Sequence, residues 1–241
     1  MKKLSILLLL AGVFLTGCSP KVVSNVNKNY QALEASAEVV VLGEDAQVPA
    51  DAELIGQLKV GDTGFTINNG SYEDVVALAK EKARQAGGNI LKITEHKAPD
   101  GFFSTIHRIK ADIFRVDDIG ALAQEQRQVE ESMNPAHPDY AVIYFYREAG
   151  VAPLVTYDVH IGEEKVYRSK SGSGAEVKIY DAGEVMIWAK TESKEILPLD
   201  IKLGGEYYVR CSVTTGLVVG RPAFEKVSPS SGKVEYESAR K

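Results

Sequence analysis

Cysteine and histidine are scarce in this chain. Its 241 residues include two cysteines, Cys18 and Cys211, and four histidines, none of them paired at the spacing of a usual metal motif. A disulfide framework and a zinc cluster both need more of these residues, closer together. The sequence therefore predicts no metal centre, and we expect no cofactor.

Sequence motifs for catalysis are missing as well. No Gly-x-Ser-x-Gly occurs, and the "SGSG" run at 171–174 is not followed by the Gly-Lys-Ser/Thr of a phosphate loop. Nucleophilic catalysis needs a Ser, Cys or Thr beside an oriented base, and the scattered carboxylates form no recognisable pair. We expect that the protein is not an enzyme.

An excess of positive charge is also lacking. The chain carries 28 Lys and Arg against 33 Asp and Glu, and losing Lys2 and Lys3 with a leader would move its formal net charge from −5 to −7. Nucleic-acid binding needs a basic footprint. The acidic body therefore argues against a nucleic-acid partner, and against a body that lies flat on anionic lipid.

Residues 1–17 have the order of a secretory signal peptide. Lys2 and Lys3 precede an apolar run from Leu4 to Leu15, and small residues follow. The run is shorter than the about 20 residues that a membrane-spanning helix needs. A buried cytosolic helix is the alternative, and the signal peptide is the favoured interpretation.

The segment Leu15-Thr16-Gly17-Cys18 resembles a bacterial lipobox. That resemblance implies a diacylglycerol on the Cys18 thiol, cleavage before Cys18 and acylation of the new amino group, which together would anchor the protein permanently. In enterobacterial lipoproteins an Asp after the cysteine retains the protein at the inner membrane, so Ser19 favours the outer membrane. We expect residues 18–36 to form a polar tether.

Residues 37–116 are predicted to form a small α+β sandwich domain. Two strand-like runs precede a helix that starts after Ser71, with Asp74 placed for a capping box, and two more runs follow. Burial of the apolar residues pairs Ile93 with Ile109 in these last two runs. That register sets His107 opposite Glu95 and His96 on the other face, so the two histidines are predicted to stay apart.

The rest of the chain divides at a proline-bounded stretch. Residues 117–139 are predicted to be a helical connector, because a polar helical pattern ends at "NPAHPD". Residues 140–241 show short strand-like runs at regular intervals with glycine-rich turns, typical of an all-β sandwich domain.

Two pairs of residues are candidate partner contacts. Phe102 and Phe103 lie in the loop "APDGFFS", where at least one would tend to face solvent, unless both fold back onto the sheet edge. In "EYYVRCSVTT" alternation places Cys211 inward and both Tyr208 and Arg210 outward. That outward pair is predicted to meet a partner or to stack on itself.

Residues 140–241 resemble a domain-of-unknown-function family found on bacterial envelope lipoproteins. The resemblance rests on "AVIYFYRE", "DVHIGEEKV", "GEVMIWAKTE", "GGEYYVRCSV" and "GRPAFEKV". It implies a β-sandwich and an envelope location, and no activity.

The stretch "SYEDVVALAKEKARQAGGNILKI" resembles the small α+β domain of the Rcs-phosphorelay outer-membrane lipoprotein, and also a bacterial family labelled metal-binding. The Rcs lipoprotein relies on cysteines in this domain, whereas 37–116 has none. A disulfide-based sensing role is therefore not expected here.

Together these patterns predict a lipid-anchored protein of the bacterial cell envelope that acts as a binding or structural module. The expected partner is another envelope protein or a glycan such as peptidoglycan. The alternative is a periplasmic hydrolase or a metal-handling protein.

Overall fold

The computed structural model describes residues 21–28, 30–61, 70–100, 104, 106–130, 138–150 and 152–240. Within these ranges the chain forms thirteen strands and three helices, and the strands assemble into three sheets. The β-rich, sandwich-like architecture expected from the sequence is confirmed. None of the helices in these ranges is long and apolar enough to cross a membrane.

The first sheet has five strands in the order β1-β3-β5-β4-β2. Their bounds are β1 Lys21–Val26, β2 Val40–Leu42, β3 Glu53–Gly61, β4 Ile90–Lys97 and β5 Arg108–Arg115. One face of this sheet packs against helix α1, Tyr72–Gln85. The short strand β2 forms one edge of the sheet, and β1 forms the opposite edge.

Strand β1 corrects the predicted tether. Residues Lys21–Val26 pair antiparallel with β3 along their whole length, so the folded body begins well before residue 37. The run "KVVSNV" is rich in β-branched residues, and it supplies the hydrogen bonds that the outer edge of β3 lacks. Gly56 permits the close approach, because a Cβ there would lie 2.8 Å from the carbonyl oxygen of Asn25.

Helix α1 begins where the sequence predicts. The Ser71 hydroxyl accepts a hydrogen bond from the Asp74 backbone N–H at 3.0 Å, and the Asp74 carboxylate accepts one from the Ser71 N–H at 3.2 Å. Val75, Ala79 and Ala83 then face the sheet and are buried. The small alanine side chains let the helix lie close to the strands.

Strands β4 and β5 pair in a different register from the predicted one. Ile93 lies opposite Ala111, and a bulge between Ile93 and Glu95 sets His96 opposite Ile109. The observed partner of Ile93 is thus two residues away from the predicted partner, Ile109. Because this shift is even, the side chains predicted to face the core stay buried. The bulge then re-aims the end of β4, which changes where His96 points.

The second half of the chain forms two four-stranded sheets around one apolar core. One sheet, in the order β13-β12-β6-β9, contains β6 Ala141–Arg147, β9 Ser173–Ile179, β12 Glu206–Thr214 and β13 Arg221–Val227. The other, in the order β11-β10-β7-β8, contains β7 Tyr157–Ile161, β8 Glu164–Ser169, β10 Gly183–Lys190 and β11 Lys194–Ile201.

The other two helices lie outside these sheets. Helix α2, Gly120–Glu130, falls in the predicted connector and contacts β2. Helix α3, Pro229–Ala239, contacts α1, α2, β6 and β12. The expectation of strands throughout 140–241 is therefore wrong at its end.

Tertiary packing accounts for α3, whose sequence "PSSGKVEYESA" is poor in strong helix formers. The helix covers the outer face of the β13-β12-β6-β9 sheet, where Tyr236 packs with Tyr146 and Tyr208. Gly232 makes this possible, because a Cβ there would lie 2.3 Å from the Cβ of Tyr208. On its other side, Val234 packs against the core of the first sheet.

Candidate functional site

A buried carboxylate on α3 joins the two halves of the molecule. Glu235 accepts hydrogen bonds from the backbone N–H of Tyr72 at 2.9 Å and from the hydroxyl of Tyr146 at 2.7 Å. The Arg210 guanidinium donates to both carboxylate oxygens, with Nε 2.8 Å and Nη2 3.1 Å away. One side chain thus ties α1 of the first half to β6 and β12 of the second.

Burial dominates the electrostatics of this group. Removal from water raises the pKa of Glu235 above its ordinary value, and the Arg210 guanidinium opposes that rise. Burial and the Glu235 carboxylate likewise raise the pKa of Tyr146, so its hydroxyl stays protonated and donates. A buried charge that loses its partner is strongly destabilising, so these groups depend on one another.

Two histidines and Glu148 lie next to Glu235, and we call these side chains together with the partners of Glu235 the polar cluster. His96 Nε2 and His107 Nδ1 are 2.7 Å apart, and their rings are close to parallel. His107 is fully buried, and its Nε2 contacts the carboxylate of Glu148. The Tyr72 ring packs edge-on against both histidine rings. His107 therefore lies in a chain of polar contacts that runs from β4 to the end of β6.

The predicted separation of His96 and His107 is wrong. The bulge in β4 re-aims His96, and His107 precedes β5 rather than pairing with Glu95. Nothing in the local sequence marks the bulge, and Glu148 and Glu235 are distant in the chain. The alternation of buried residues fixes a face of a strand but not an inserted residue, so sequence patterning missed this cluster.

The cluster offers two kinds of chemistry. Potential ligand atoms of His107, Glu148 and Glu235 lie within 4.8 Å of one another. Imidazole and carboxylate groups are common ligands of zinc. Glu235 is already bonded to Arg210, so an ion there would have to share this carboxylate with the guanidinium. The contacts form a hydrogen-bonded ion-pair network that holds the two halves together.

Solvent reaches this region through a cavity of about 430 Å³. Its walls include His96 and Asp100 from the first half and Glu148, Gly172 and Ala239 from the second half. A small ion or molecule could therefore approach the His96–His107 pair without crossing either core.

A larger groove lies beside α1. It has a volume of about 740 Å³ and is formed by β2, α1, α2 and the start of α3. Its apolar floor includes Val40, Val76 and Leu122, and its rim carries polar side chains such as Glu73 and Gln126. We call this feature the α1–α2 groove.

The α1–α2 groove exposes the edge of a sheet. Strand β2 is the last strand of the five, and β4 pairs with only one side of it. On the other side, the Val41 backbone N–H donates to the side-chain carbonyl of Gln126 on α2, at 3.0 Å. A side-chain amide thus takes the place that another strand would occupy.

The outward pair predicted on β12 meets a helix and not solvent. Tyr208 and Arg210 do face away from the sandwich core, but α3 covers them: Tyr208 packs under Gly232, and Arg210 bonds Glu235. A helix could not be foreseen from the alternation within β12 alone. The sequence predicts that the two residues contact a partner, and they instead contact α3 of the same chain.

The remaining predicted residues divide into two groups. Cys211 is inward as predicted, with 1% of its surface exposed, and burial raises the pKa of its thiol. Cys18, Phe102 and Phe103 lie outside the described residues.

No protein-family model, curated protein or solved structure matches this chain.

Proposed function

We propose that this is a lipid-anchored protein of the bacterial outer membrane that binds another envelope protein in the α1–α2 groove. In this proposal a signal peptide directs export, Cys18 carries the lipid, and an α+β unit is followed by a sandwich unit. The observation that carries the proposal is the groove, which combines an apolar floor with an edge of β2 that pairs with no other strand among the described residues.

The partner that this shape favours is an extended peptide segment. Adding a strand to an exposed sheet edge provides main-chain hydrogen bonds, and pockets beside the edge then select side chains. The Val41 N–H is already satisfied by Gln126, so an incoming strand would replace one hydrogen bond with another. The apolar floor at Val76 and Leu122 suits aliphatic side chains of that strand.

A groove-filling substitution tests the site. Ala77 is an exposed helix residue that lines the groove, so Ala77→Trp should block it without disturbing the core. Gln85→Trp places the same side chain on α1 away from the groove and is the matched control. After chemical crosslinking in cells, the envelope protein recovered with the parent chain should be lost with Ala77→Trp and kept with Gln85→Trp. Equal recovery with both variants would contradict the proposal.

The anchor has its own test. Cys18→Ser should release the protein from the membrane fraction or leave it as the unprocessed precursor, because neither lipid attachment nor the cleavage that follows it would occur. The mass of the mature N-terminal peptide should show acyl chains on Cys18 in the parent chain. An unmodified Cys18 in mature protein would contradict the anchor while leaving the groove proposal open.

Metal handling is the second candidate function. It is favoured by one observation, the approach of His107, Glu148 and Glu235 to within 4.8 Å, beside an open cavity. Titration of the purified chain with zinc, followed by calorimetry, tests it. Stoichiometric binding that His107→Ala removes would support a metal site, and the same heat with and without His107 would exclude it. Hydrolysis is not proposed.

A further inference from the structure

One end of the sandwich presents a rigid apolar tip. The loop between β12 and β13 exposes Leu217 and Val218, with 91% and 89% of their surfaces in solvent, and Val219 is half exposed. Strands β6 and β12 are parallel, so the loop after β6 lies at the same end. That loop carries Leu154, which is 94% exposed. The three consecutive aliphatic residues 217–219 form a contiguous exposed patch, and such patches mark interaction surfaces.

The carboxylate of Glu192 holds the tip in shape. Glu192 lies in the turn between β10 and β11, and it accepts hydrogen bonds from the backbone N–H groups of Leu217 at 2.7 Å, Val218, Val219 and Gly220 at 3.3 Å. These four consecutive N–H groups are therefore paired within the protein. At a lipid interface these N–H groups therefore keep their hydrogen-bond partners, whereas those of an ordinary turn would lose water.

Two glycines close the loop around that carboxylate. A Cβ on Gly216 would lie 2.5 Å from the Glu192 carboxylate and 2.6 Å from the Cα of Gly220. Gly220 itself has a φ of +96°, a conformation that other residues rarely adopt. The aliphatic side chains thus project from a fixed scaffold, and the loop does not need to order itself when it binds.

Basic residues flank the two hairpins that form the tip. Strand β10 ends at Lys190, β11 begins at Lys194 and β13 begins at Arg221, while the acidic Glu192 between them is occupied by the N–H groups of the loop. The basic residues stand out because the chain as a whole is acidic. Lysine and arginine near an apolar insertion segment attract the headgroups of anionic lipids.

We infer that this apolar tip inserts into the surface of a lipid bilayer that contains anionic lipid. The tip is aliphatic, highly exposed and internally hydrogen-bonded, with basic residues at its flanking strand ends, a combination that suits insertion at a lipid interface. The acidic body would then stand end-on, touching the membrane through this loop alone. The inference does not depend on the α1–α2 groove.

Quenching by lipid-borne spin labels tests the inference. The full chain is labelled with an environment-sensitive fluorophore at Val218→Cys, and the control carries the same label at Tyr180→Cys, an exposed residue after β9 at the opposite end of the sandwich. The parent chain, treated with the same fluorophore, shows how much label attaches to Cys18. Cys211 is buried and should not react in the folded protein. The probe is a vesicle of phosphatidylethanolamine and phosphatidylglycerol with a spin label in its upper acyl chain.

The expected result is quenching at position 218 that is several-fold stronger than at 180. It should fall with added salt and when Leu217→Ser is combined with the label. Equal quenching at both positions, or none at 218, would overturn the inference. A change in fluorescence at position 218 that depends on protein concentration without vesicles would identify a second copy of the chain as the partner. A change that appears only with envelope protein extract would identify a different protein as the partner. Either result would also overturn the inference.

Discussion

Glu235 and Arg210 form a buried ion pair, with the Arg210 Nε 2.8 Å from a carboxylate oxygen, at the boundary between the two halves of the molecule. Glu235 comes from α3 and Arg210 from β12, one of the two inner strands of the sheet beneath it. The Tyr72 N–H from the first half completes the set. The pair therefore couples the position of α3 to both halves and fixes one wall of the α1–α2 groove, to which α3 contributes Ser231 and Val234.

Glu235→Gln should destabilise the protein by about 3 kcal/mol, because the Arg210 guanidinium loses its buried partner and keeps only the exposed Glu225 carboxylate. The midpoint of urea unfolding measures this. Arg127→Ala is the control, since it removes an exposed pair with Glu38 and should cost at most about 1 kcal/mol. If the two variants unfold at the same urea concentration, the pair does not hold the junction.

Gly232→Ala should be destabilising by about 1–3 kcal/mol, although alanine is the better helix former, because the new methyl group would overlap Tyr208. Thermal unfolding of this variant measures the effect. A variant more stable than the parent chain would show that α3 does not lie this close to β12.

Some features of the fold can be predicted from the sequence, and others cannot. Alternation along the strands and the Ser71 capping box predict the helix start, the core faces and the inward Cys211, because each depends on residues close together in the chain. The bulge in β4, helix α3 and the meeting of His96 with His107 depend on contacts between distant segments. The sequence carries no local mark of these contacts, so the polar cluster and the groove become visible only in three dimensions.

The fragment 140–241 should fold alone and melt cooperatively, because both sheets of the sandwich and their shared core lie within it. It should melt at a lower temperature than the whole chain, since α3 loses its contacts with α1 and Glu235 loses the Tyr72 N–H. Circular dichroism during heating tests this. An unfolded fragment would show that the two halves are a single folding unit.

Native Cys211 should resist a thiol-alkylating reagent until the protein is denatured. The thiol is buried in the sandwich core, and its raised pKa leaves little thiolate to react. Mass spectrometry after alkylation in buffer and in denaturant measures the difference. Rapid labelling in buffer would place Cys211 outside the core.

The loop around Glu192 should loosen in acid. The N–H groups of Val219, Leu217 and Val218 lower the pKa of Glu192 from 4.5 to about 2. A carboxyl with a depressed pKa stabilises the folded loop above pH 4.5, and this contribution disappears as the pH falls toward 2. Hydrogen exchange of residues 217–220 should accelerate over that range beyond the intrinsic pH effect. Glu192→Gln should show the fast exchange already at neutral pH, and unchanged exchange in that variant would contradict the role of the carboxylate.

The binding of an envelope protein in the α1–α2 groove is tested most directly by site-specific photo-crosslinking in living cells. A photoreactive amino acid replaces Ala77 inside the groove or Gln85 at the end of α1. We expect a discrete crosslinked species from position 77 that is absent from position 85, with the partner peptide mapped by mass spectrometry to an extended segment. The same crosslinks from both positions, or none from position 77, would contradict it.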